Sequence, residues 1–306
     1  MIHTVEMDRA SADAAGPSLM SSELLGHSSE ARVLIVNCDD LGMYEDINAA
    51  VIDSIEEGIA SSCSLMPVCP AAPQAMRLLQ DRPEVPFGIH LTLVRDSPQD
   101  RWEPLSPKTA VTSLLDDTGL LHTFTPAGRA ELLARARLPE VEVEFRAQIN
   151  AAVDAGLAPT HLDFHCLADG GRADILDLTM TLAAEYGVAT RVWLELGRQK
   201  ARQRGLPVVD HNFLDSFALD VGGKAARYAQ LLHDLPAGLT EWAVHPGMGG
   251  EQSRTIDSGW RVRRTDYEFL ISRQARELLE QEGIVVIDYT TLRDAWVQAG
   301  PTSTEQ

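Results

Sequence analysis

A few short segments of the chain carry the side chains that could do chemistry. They contain two adjacent aspartates, four histidines and one further aspartate, namely Asp39, Asp40, His90, His161, Asp163, His165 and His245. Carboxylates and neutral imidazoles are donors that bind divalent metal ions in proteins. With two adjacent carboxylates, one can bind the ion while the other accepts a proton from water. The alternative for Asp39 and Asp40 is a solvated turn.

The segment Thr160-His-Leu-Asp-Phe-His165 has the strongest pattern. On a strand, the period of two places His161, Asp163 and His165 on one face. A helix would instead pair the two histidines at i, i+4, as helical zinc sites do, but Pro159 and the strict alternation favour the strand. Titratable groups on an inward face are costly to bury without a function. Asp163 is placed to orient a metal-binding imidazole through its other ring nitrogen.

His90 and His245 each permit two interpretations. In Phe87–Val94 the alternation places Gly88, His90 and Thr92 on one face, and the alternative to a functional histidine is a core histidine with satisfied hydrogen bonds. His245 comes at the end of a predicted strand, before a turn. It is either a loop histidine, or a general acid or oxyanion donor across the mouth of a barrel from the metal.

The elements that must position these residues alternate along the chain. Short apolar runs followed by longer helical patterns are typical of a mainly parallel α/β fold. Val33–Cys38 is nearly continuously apolar, as a strand buried on both faces should be, and it ends directly before Asp39. Seven or eight strand–helix units in about 270 residues predict a TIM-like (β/α) barrel, regular or distorted, whose site forms at the carboxyl ends of the strands. An open doubly wound sheet is the alternative.

The predicted boundaries follow from these patterns. The strands are predicted at 33–38, 62–68, 87–94, 160–165, 190–196, 241–245 and 284–289. The helices are predicted at 46–57, 72–80, 127–136, 140–155, 173–186, 225–233, 265–282 and 292–298, with a long loop at 96–117. We expect a flexible leader over residues 1–31, the barrel over 32–298 and a flexible tail over 299–306.

Composition restricts the partners. The 26 Lys and Arg against 45 Asp and Glu give a net charge of −19, which repels nucleic acid and anionic membrane surfaces. Four cysteines without a CxxC pair indicate reduced thiols and a cytoplasmic location. We expect neither a signal peptide nor a membrane-spanning helix, because no sufficiently long apolar run occurs. For the oligomeric state, we consider a homodimer.

Five segments resemble, in order, the motifs of the YdjC-like (ChbG/HpnK) carbohydrate deacetylase family. They are Leu34–Gly42, Gly58–Met66, Gly88–Thr92, Pro159–His165 and His245–Gly247. The resemblance extends over residues 32–296. The chain departs from the family pattern after His165, where Cys166-Leu-Ala-Asp-Gly170 replaces the usual further histidines. This departure concerns the contacts to the substrate rather than the metal ligands.

The resemblance implies a TIM-like barrel that removes acetyl groups from N-acetylated, chito-oligosaccharide-like sugars. It also implies a divalent metal ion, with Mg²⁺ as the first choice and Zn²⁺ or another transition metal as the alternatives. Matched position by position, the family's ligands correspond to Asp40, His90 and His165, and its catalytic base corresponds to Asp39.

The leading hypothesis is therefore a metal-dependent amidohydrolase in which Asp39 activates water and His245 protonates the leaving amine. His161 and Asp163 are expected to support the ligands or to contact the substrate. The same 2-His-1-carboxylate donor set occurs in non-haem iron enzymes, which are the alternative enzyme class. A sugar-binding protein that has lost turnover is the third hypothesis, and the intact Asp39-Asp40 pair argues against it.

Overall fold

A computed structural model of the chain describes residues 19–299. The strands in this range are β1 (Arg32–Leu41), β2 (Ser62–Leu65), β3 (Phe87–Leu91), β4 (Val94–Arg95), β5 (His122–Thr123), β6 (His161–Phe164), β7 (Ala189–Thr190), β8 (Leu214–Asp215), β9 (Gly238–Val244) and β10 (Val285–Val286). The α-helices are α1 (Ser21–Leu24), α2 (Glu45–Glu56), α3 (Ala72–Gln80), α4 (Pro126–Arg135), α5 (Leu138–Val153), α6 (Ala173–Tyr186), α7 (Glu195–Gln203), α8 (Lys224–His233), α9 (Glu251–Ile256), α10 (Trp260–Leu270), α11 (Arg273–Gln281) and α12 (Tyr289–Ala299). None of the helices described here has the length and apolar character needed to cross a bilayer.

Eight strands form one parallel sheet in the order β7-β6-β3-β2-β1-β9-β8, with β10 beside the start of β1. The central strand is β1, in which Val33–Val36 are fully buried, as the apolar run predicts for a strand covered on both faces. It pairs with β9 over Arg32–Cys38 and with β2 near its carboxyl end. Because all these strands run in the same direction, their carboxyl ends meet at one edge of the sheet. The parallel α/β architecture is thus confirmed.

The sheet curls into a half-barrel, and the closed TIM-like barrel predicted from the sequence is not confirmed. Within residues 19–299, no ladder of hydrogen bonds joins β7 to β8, the two ends of the strand order. Each of these edge strands is only two residues long, so it presents few backbone groups for pairing. The sheet therefore stays open between them.

Most predicted elements are found, and two differ in kind. The strand predicted at 190–196 is a two-residue strand followed by α7, a helix that the sequence analysis missed. The single helix predicted at 265–282 is two helices, α10 and α11. The break has a local cause, because the Ser272 side chain accepts a hydrogen bond from the backbone N–H of Ala275 and caps the second helix.

The loop predicted at 96–117 folds back over the site. At its two ends, β4 and β5 pair in a small parallel sheet. The buried side chain of Arg95 donates from Nε to the Leu121 carbonyl at 2.7 Å and from Nη2 to Asp116 Oδ2 at 2.8 Å. These contacts hold the loop so that Trp102 packs edge-on against His165. The loop thereby covers one side of the histidine.

The predicted leader and tail lie partly within the residues that the structure describes. Residues 1–18 and 300–306 lie outside the described residues, while Ala299 is the last residue of α12. Residues 19–31 are held against the body of the protein through α1. The backbone N–H groups of Ser21 and Ser22 donate to the Asp210 carboxylate at 2.8 and 3.3 Å, and Ser21 Oγ accepts from the Val208 N–H at 3.0 Å. Part of the predicted leader therefore contacts the body of the protein, and the flexibility of the leader stays a prediction.

Two truncations test the anchoring by α1. A protein that begins at residue 19 is expected to melt like the full chain, whereas one that begins at residue 31 should be less stable by about 1–3 kcal/mol, since it loses the three hydrogen bonds. Its Tm should fall by several degrees. Differential scanning calorimetry on the three proteins provides the measurement, and equal Tm values for both truncations would show that α1 contributes nothing.

Candidate active site

The two adjacent aspartates are aimed at one point by an irregularity in β1. The pairing register with β2 shifts between Cys38 and Leu41, and Asp40 has a φ of +68°. Such a bulge re-aims side chains, and left-handed backbone at a non-glycine residue is costly and clusters at functional sites. As a result, Asp39 Oδ2 lies 3.8 Å and Asp40 Oδ1 lies 3.4 Å from His90 Nε2. Both aspartates are 2% exposed, which excludes the solvated turn.

Three donor atoms converge at this point. Asp40 Oδ1 lies 3.4 Å from His90 Nε2 and 3.2 Å from His165 Nδ1, and donors from these three residues all lie within 4.8 Å of one another. Neighbouring ligand atoms around an octahedral ion with bonds of about 2.1 Å stand about 3 Å apart. The structure thus brings together the three residues that the resemblance implies as metal ligands, in an arrangement that fits a divalent ion.

Each of the three donors is oriented by a group on its other side. Arg263 Nη1 donates to Asp40 Oδ2 at 2.7 Å. His90 Nδ1 lies 2.9 Å from Asp163 Oδ1, as expected of Asp163 from the strand pattern, and His165 Nε2 lies 2.8 Å from an Asp96 oxygen. Metal-binding histidines characteristically place their second nitrogen on such a partner, which fixes the ring. The free atom of every donor therefore points to the common centre.

Neighbouring cations keep the buried carboxylates of the site charged. Burial by itself would raise the pKa of Asp40, but the Arg263 guanidinium and a hydrogen bond from His165 hold that pKa well below its usual range. Burial would also raise the pKa of Asp163, and the Arg191 guanidinium beside it holds that pKa well below normal. Both groups are consequently carboxylates at neutral pH, the form that binds a metal ion or orients a histidine.

Asp39 is held apart from the three donors by its own set of hydrogen bonds. Arg191 binds it through both nitrogens, from Nη1 to Oδ2 and from Nη2 to Oδ1, each at 2.8 Å. Asn37 Nδ2 also donates to Oδ1 at 2.8 Å. Oδ2 remains directed at the cavity, 3.8 Å from His90 Nε2 and 3.9 Å from His245 Nε2. This oxygen is the one available to accept a proton.

Arg191 joins three buried carboxylates. In addition to Asp39, it contacts Asp163 Oδ2 from Nη1 and Glu241 Oε1 from Nε, both at 2.8 Å. The second oxygen of Glu241 accepts a hydrogen bond from the Tyr289 hydroxyl at 2.8 Å. Burial raises the pKa of Glu241 to about 7, even though Arg191 opposes the rise. A guanidinium is suited to this position because its five N–H groups form a rigid planar fork.

His161 does not line the cavity, so the expected alternative of a contact with substrate is not supported. Its ring packs over Gly88, where an added Cβ would approach the ring to 2.5 Å, and stacks on Tyr289 at 3.6 Å. Its Nε2 lies 3.2 Å from Ser64 Oγ, which in turn donates to Asp163 Oδ2 at 2.6 Å. Burial lowers the pKa of His161. It is a neutral core histidine behind Asp163.

A cavity of about 470 Å³ opens in front of the converging donors. Asp39, Asp40, His90, His165 and His245 all line it. Its aromatic lining residues are Tyr44, Phe124, Phe164, Trp193 and Phe217. A cavity of this volume, with apolar walls and a few convergent polar groups, is typical of small-molecule sites.

Some residues of the site were missed from the sequence. Glu241 could have been found, because the alternation along β9 places it on the same face as His245. Arg191 directly follows β7, at the carboxyl end of a parallel strand, where site residues are expected. It was missed because the predicted strand continued through it. No sequence signal marks Arg263, which lies near the start of α10, or Asp96, which lies in a loop.

Comparisons with known proteins agree on the family. The model of the family described as "YdjC-like protein" matches residues 33–281. A carbohydrate deacetylase of Thermoanaerobacter pseudethanolicus is 29% identical over 262 residues, which cover 86% of this chain and all of that protein. A carbohydrate deacetylase of Geobacillus stearothermophilus is 31% identical over 216 residues, covering 70% of this chain and 79% of the relative.

A crystal structure from Enterococcus faecalis V583, provisionally named a cellobiose-phosphate cleavage protein, has the same fold. It aligns with a TM-score of 0.73 and 23% identity, and covers 86% of this chain and 99% of its own. The family match spans most of the chain and includes the strands that carry Asp39, Asp40 and His90, as well as His165 directly after β6. The chain belongs to the YdjC-like protein family.

Proposed function

We propose that this protein is a metal-dependent hydrolase that removes the acetyl group from an N-acetylated carbohydrate. The observation that carries the proposal is the arrangement at the cavity floor, where three oriented donors stand beside the oriented carboxylate of Asp39 and the imidazole of His245. Curated relatives that align along most of the chain are named carbohydrate deacetylases, which supports the substrate class. The aromatic walls offer faces on which a sugar ring can pack.

Asp40, His90 and His165 would hold the divalent ion. Such an ion lowers the pKa of water and polarises an amide carbonyl. Two imidazoles beside one carboxylate suit Zn²⁺ and other transition ions as well as Mg²⁺, so we propose a divalent ion with Mg²⁺ and Zn²⁺ as the first two candidates.

The protein's own groups carry the protons. Asp39 Oδ2 takes one proton from water, whose oxygen forms the new bond to the acetyl carbon. His245 gives the proton on Nε2 to the amide nitrogen as the C–N bond breaks and its electron pair stays on nitrogen. The products are acetic acid and the free amine, and the proton on Asp39 returns to His245, 3.9 Å away. The reaction therefore balances without a further reactant.

Acetate release from a panel of N-acetylated mono- and oligosaccharides tests this function. We expect release to stop on treatment with a chelator and to return on addition of Mg²⁺ or Zn²⁺, whichever is the working ion. Release should be the same in air and under argon. A requirement for oxygen would instead support the non-haem iron alternative, and bound metal without acetate release from any sugar would support the sugar-binding alternative.

Removal of either imidazole donor should remove the ion. His90→Ala and His165→Ala are each expected to lower the metal content of the purified protein by at least tenfold after dialysis, because each deletes one of three protein ligands. Atomic emission spectroscopy measures the metal. His233→Ala is the control, since His233 is an exposed histidine paired with Glu282. Stoichiometric metal in both donor variants would contradict the assignment.

A further inference from the structure

The back of His245 is held by buried polar side chains that lie outside the cavity. Ser216 Oγ is 2.8 Å from His245 Nδ1. Ser216 is fully buried, at the start of a short helical turn that follows β8. Tyr228, also fully buried, lies in α8. Neither residue lines the cavity, so neither can be explained as a contact to substrate.

A second connection reaches the backbone of His245 through Asp266 in α10. The Tyr228 hydroxyl donates to Asp266 Oδ1 at 2.8 Å, and Asp266 Oδ2 accepts the backbone N–H of His245 at 3.0 Å. Lys224 Nζ lies 2.5 Å from the same Oδ1 and balances the charge of the carboxylate. Burial and the neighbouring Asp266 raise the pKa of Tyr228 well above its usual value. Tyr228 therefore remains a phenol that can donate.

The Ser216 contact has one direction when His245 acts as an acid. A histidine that gives up the proton on Nε2 keeps a hydrogen on Nδ1, and the Ser216 hydroxyl oxygen accepts that hydrogen. The nitrogen left to exchange a proton is Nε2, which faces the cavity and Asp39. The tautomer of a histidine is set in this way by the partner of its other nitrogen.

The other groups around His245 do not supply this orientation. Asp215 Oδ1 is 3.9 Å from Nδ1, beyond hydrogen-bonding distance, and accepts the N–H of Phe217 instead. Phe217 packs against the imidazole with its ring edge-on. Arg263 lies over the Phe217 ring and is committed to Asp40 and Asp257. Asp39 faces Nε2 and not Nδ1.

We infer that Ser216, which accepts from His245 Nδ1, and Tyr228, which holds Asp266 on the His245 backbone, are positioning residues that direct the proton of His245 Nε2 to the leaving nitrogen. The inference rests on the proposed function. It predicts a defect confined to the step that needs an acid: an amine leaves an acetyl group only when protonated, whereas 4-nitrophenolate leaves without a proton. Loss of either positioning residue should therefore slow hydrolysis of an amide and spare hydrolysis of 4-nitrophenyl acetate.

The experiment compares both substrates in Ser216→Ala and Tyr228→Phe. With N,N′-diacetylchitobiose, kcat for acetate release should fall at least tenfold in each variant with KM unchanged, which is part of the 10²–10⁴-fold that general acid catalysis typically contributes. With 4-nitrophenyl acetate, the rate should stay within twofold of wild type. Tyr228→Phe removes a single oxygen, and thermal melting of both variants establishes that they fold.

Tyr267→Phe is the matched control. Tyr267 is the neighbour of Asp266 in α10 and donates its hydroxyl to Asp53 at 3.0 Å, with no link to His245. It should keep both activities. Equal losses on the amide and the ester, or no loss on either, would overturn the inference and leave the deacetylase function standing. Absence of acetate release from the sugar by the wild-type protein would overturn the proposed function, and the inference with it.

Discussion

Asp39→Asn is expected to keep the metal ion and lose turnover, whereas Asp40→Asn is expected to lose the ion. Asp40 Oδ1 is the only carboxylate oxygen of the three-donor set, and an amide is a weaker ligand. Asparagine tolerates the left-handed backbone at this position, so the fold should persist. Asp39 is the proposed base, and a positioned base typically contributes about 10²–10⁴-fold in rate. The loss should appear in kcat more than in KM.

The Asp39 variant needs a control for stability, because both of its oxygens accept hydrogen bonds from Arg191. An amide at this position turns an NH₂ group towards the guanidinium. Metal content, acetate release and Tm are therefore measured on the same samples. Asp53→Asn provides the comparison, since Asp53 in α2 accepts a hydrogen bond from Tyr267 in α10. If Asp39→Asn loses the ion and Asp40→Asn keeps it, the two roles must be exchanged.

The parts of the site that could be predicted are those set by local rules. The period of two along a strand placed Asp163 beside the histidines, and the structure pairs it directly with His90 across β3 and β6. The rule of strand ends collected His90, His165 and His245 at one edge of a parallel sheet. Neither rule needs knowledge of which strands are neighbours, so both work from sequence alone.

The parts that could not be predicted depend on contacts between distant segments. The bulge that aims the aspartates exists only in relation to β2. Arg263 is 223 residues away from the Asp40 that it holds, and Arg191 is 152 residues away from Asp39. An arginine in a helix is ordinarily a solvated residue. Only the folded arrangement shows that these two arginines are buried and bound to carboxylates.

The two buried arginines divide the charges of the site between them. Arg263 pairs with Asp40, one of the three converging donors, and Arg191 pairs with Asp39, Asp163 and Glu241 behind it. The Asp40 carboxylate, which is available to an ion, is thus separated from the carboxylates bound to Arg191, of which Asp163 orients His90. This division also means that the structure behind the site depends on one guanidinium.

Arg191→Met should therefore be among the most destabilising single substitutions in the protein. It leaves three buried carboxylates without their common partner, and removal of one member of a buried ion pair typically costs about 3–5 kcal/mol. A second substitution should restore part of the loss. Glu241→Gln removes the one of the three acids whose pKa burial already raises to about 7, and a neutral amide can still accept the hydrogen bond from Tyr289. The double variant should thus be more stable than Arg191→Met alone by at least 1 kcal/mol.

Urea unfolding followed by circular dichroism gives the free energies for the wild type, the two single variants and the double variant. Arg146→Met is the control for loss of an arginine in general, because Arg146 pairs with Glu142 and Glu185 at the surface, where such pairs contribute at most about 1 kcal/mol. The decisive quantity is the coupling free energy between positions 191 and 241. We expect the double variant to lose less stability than the sum of the losses of the two single variants. If Arg191→Met unfolds with the same free energy as Arg146→Met, or if Glu241→Gln adds its own loss to that of Arg191→Met, then the guanidinium is not what holds these carboxylates in the fold.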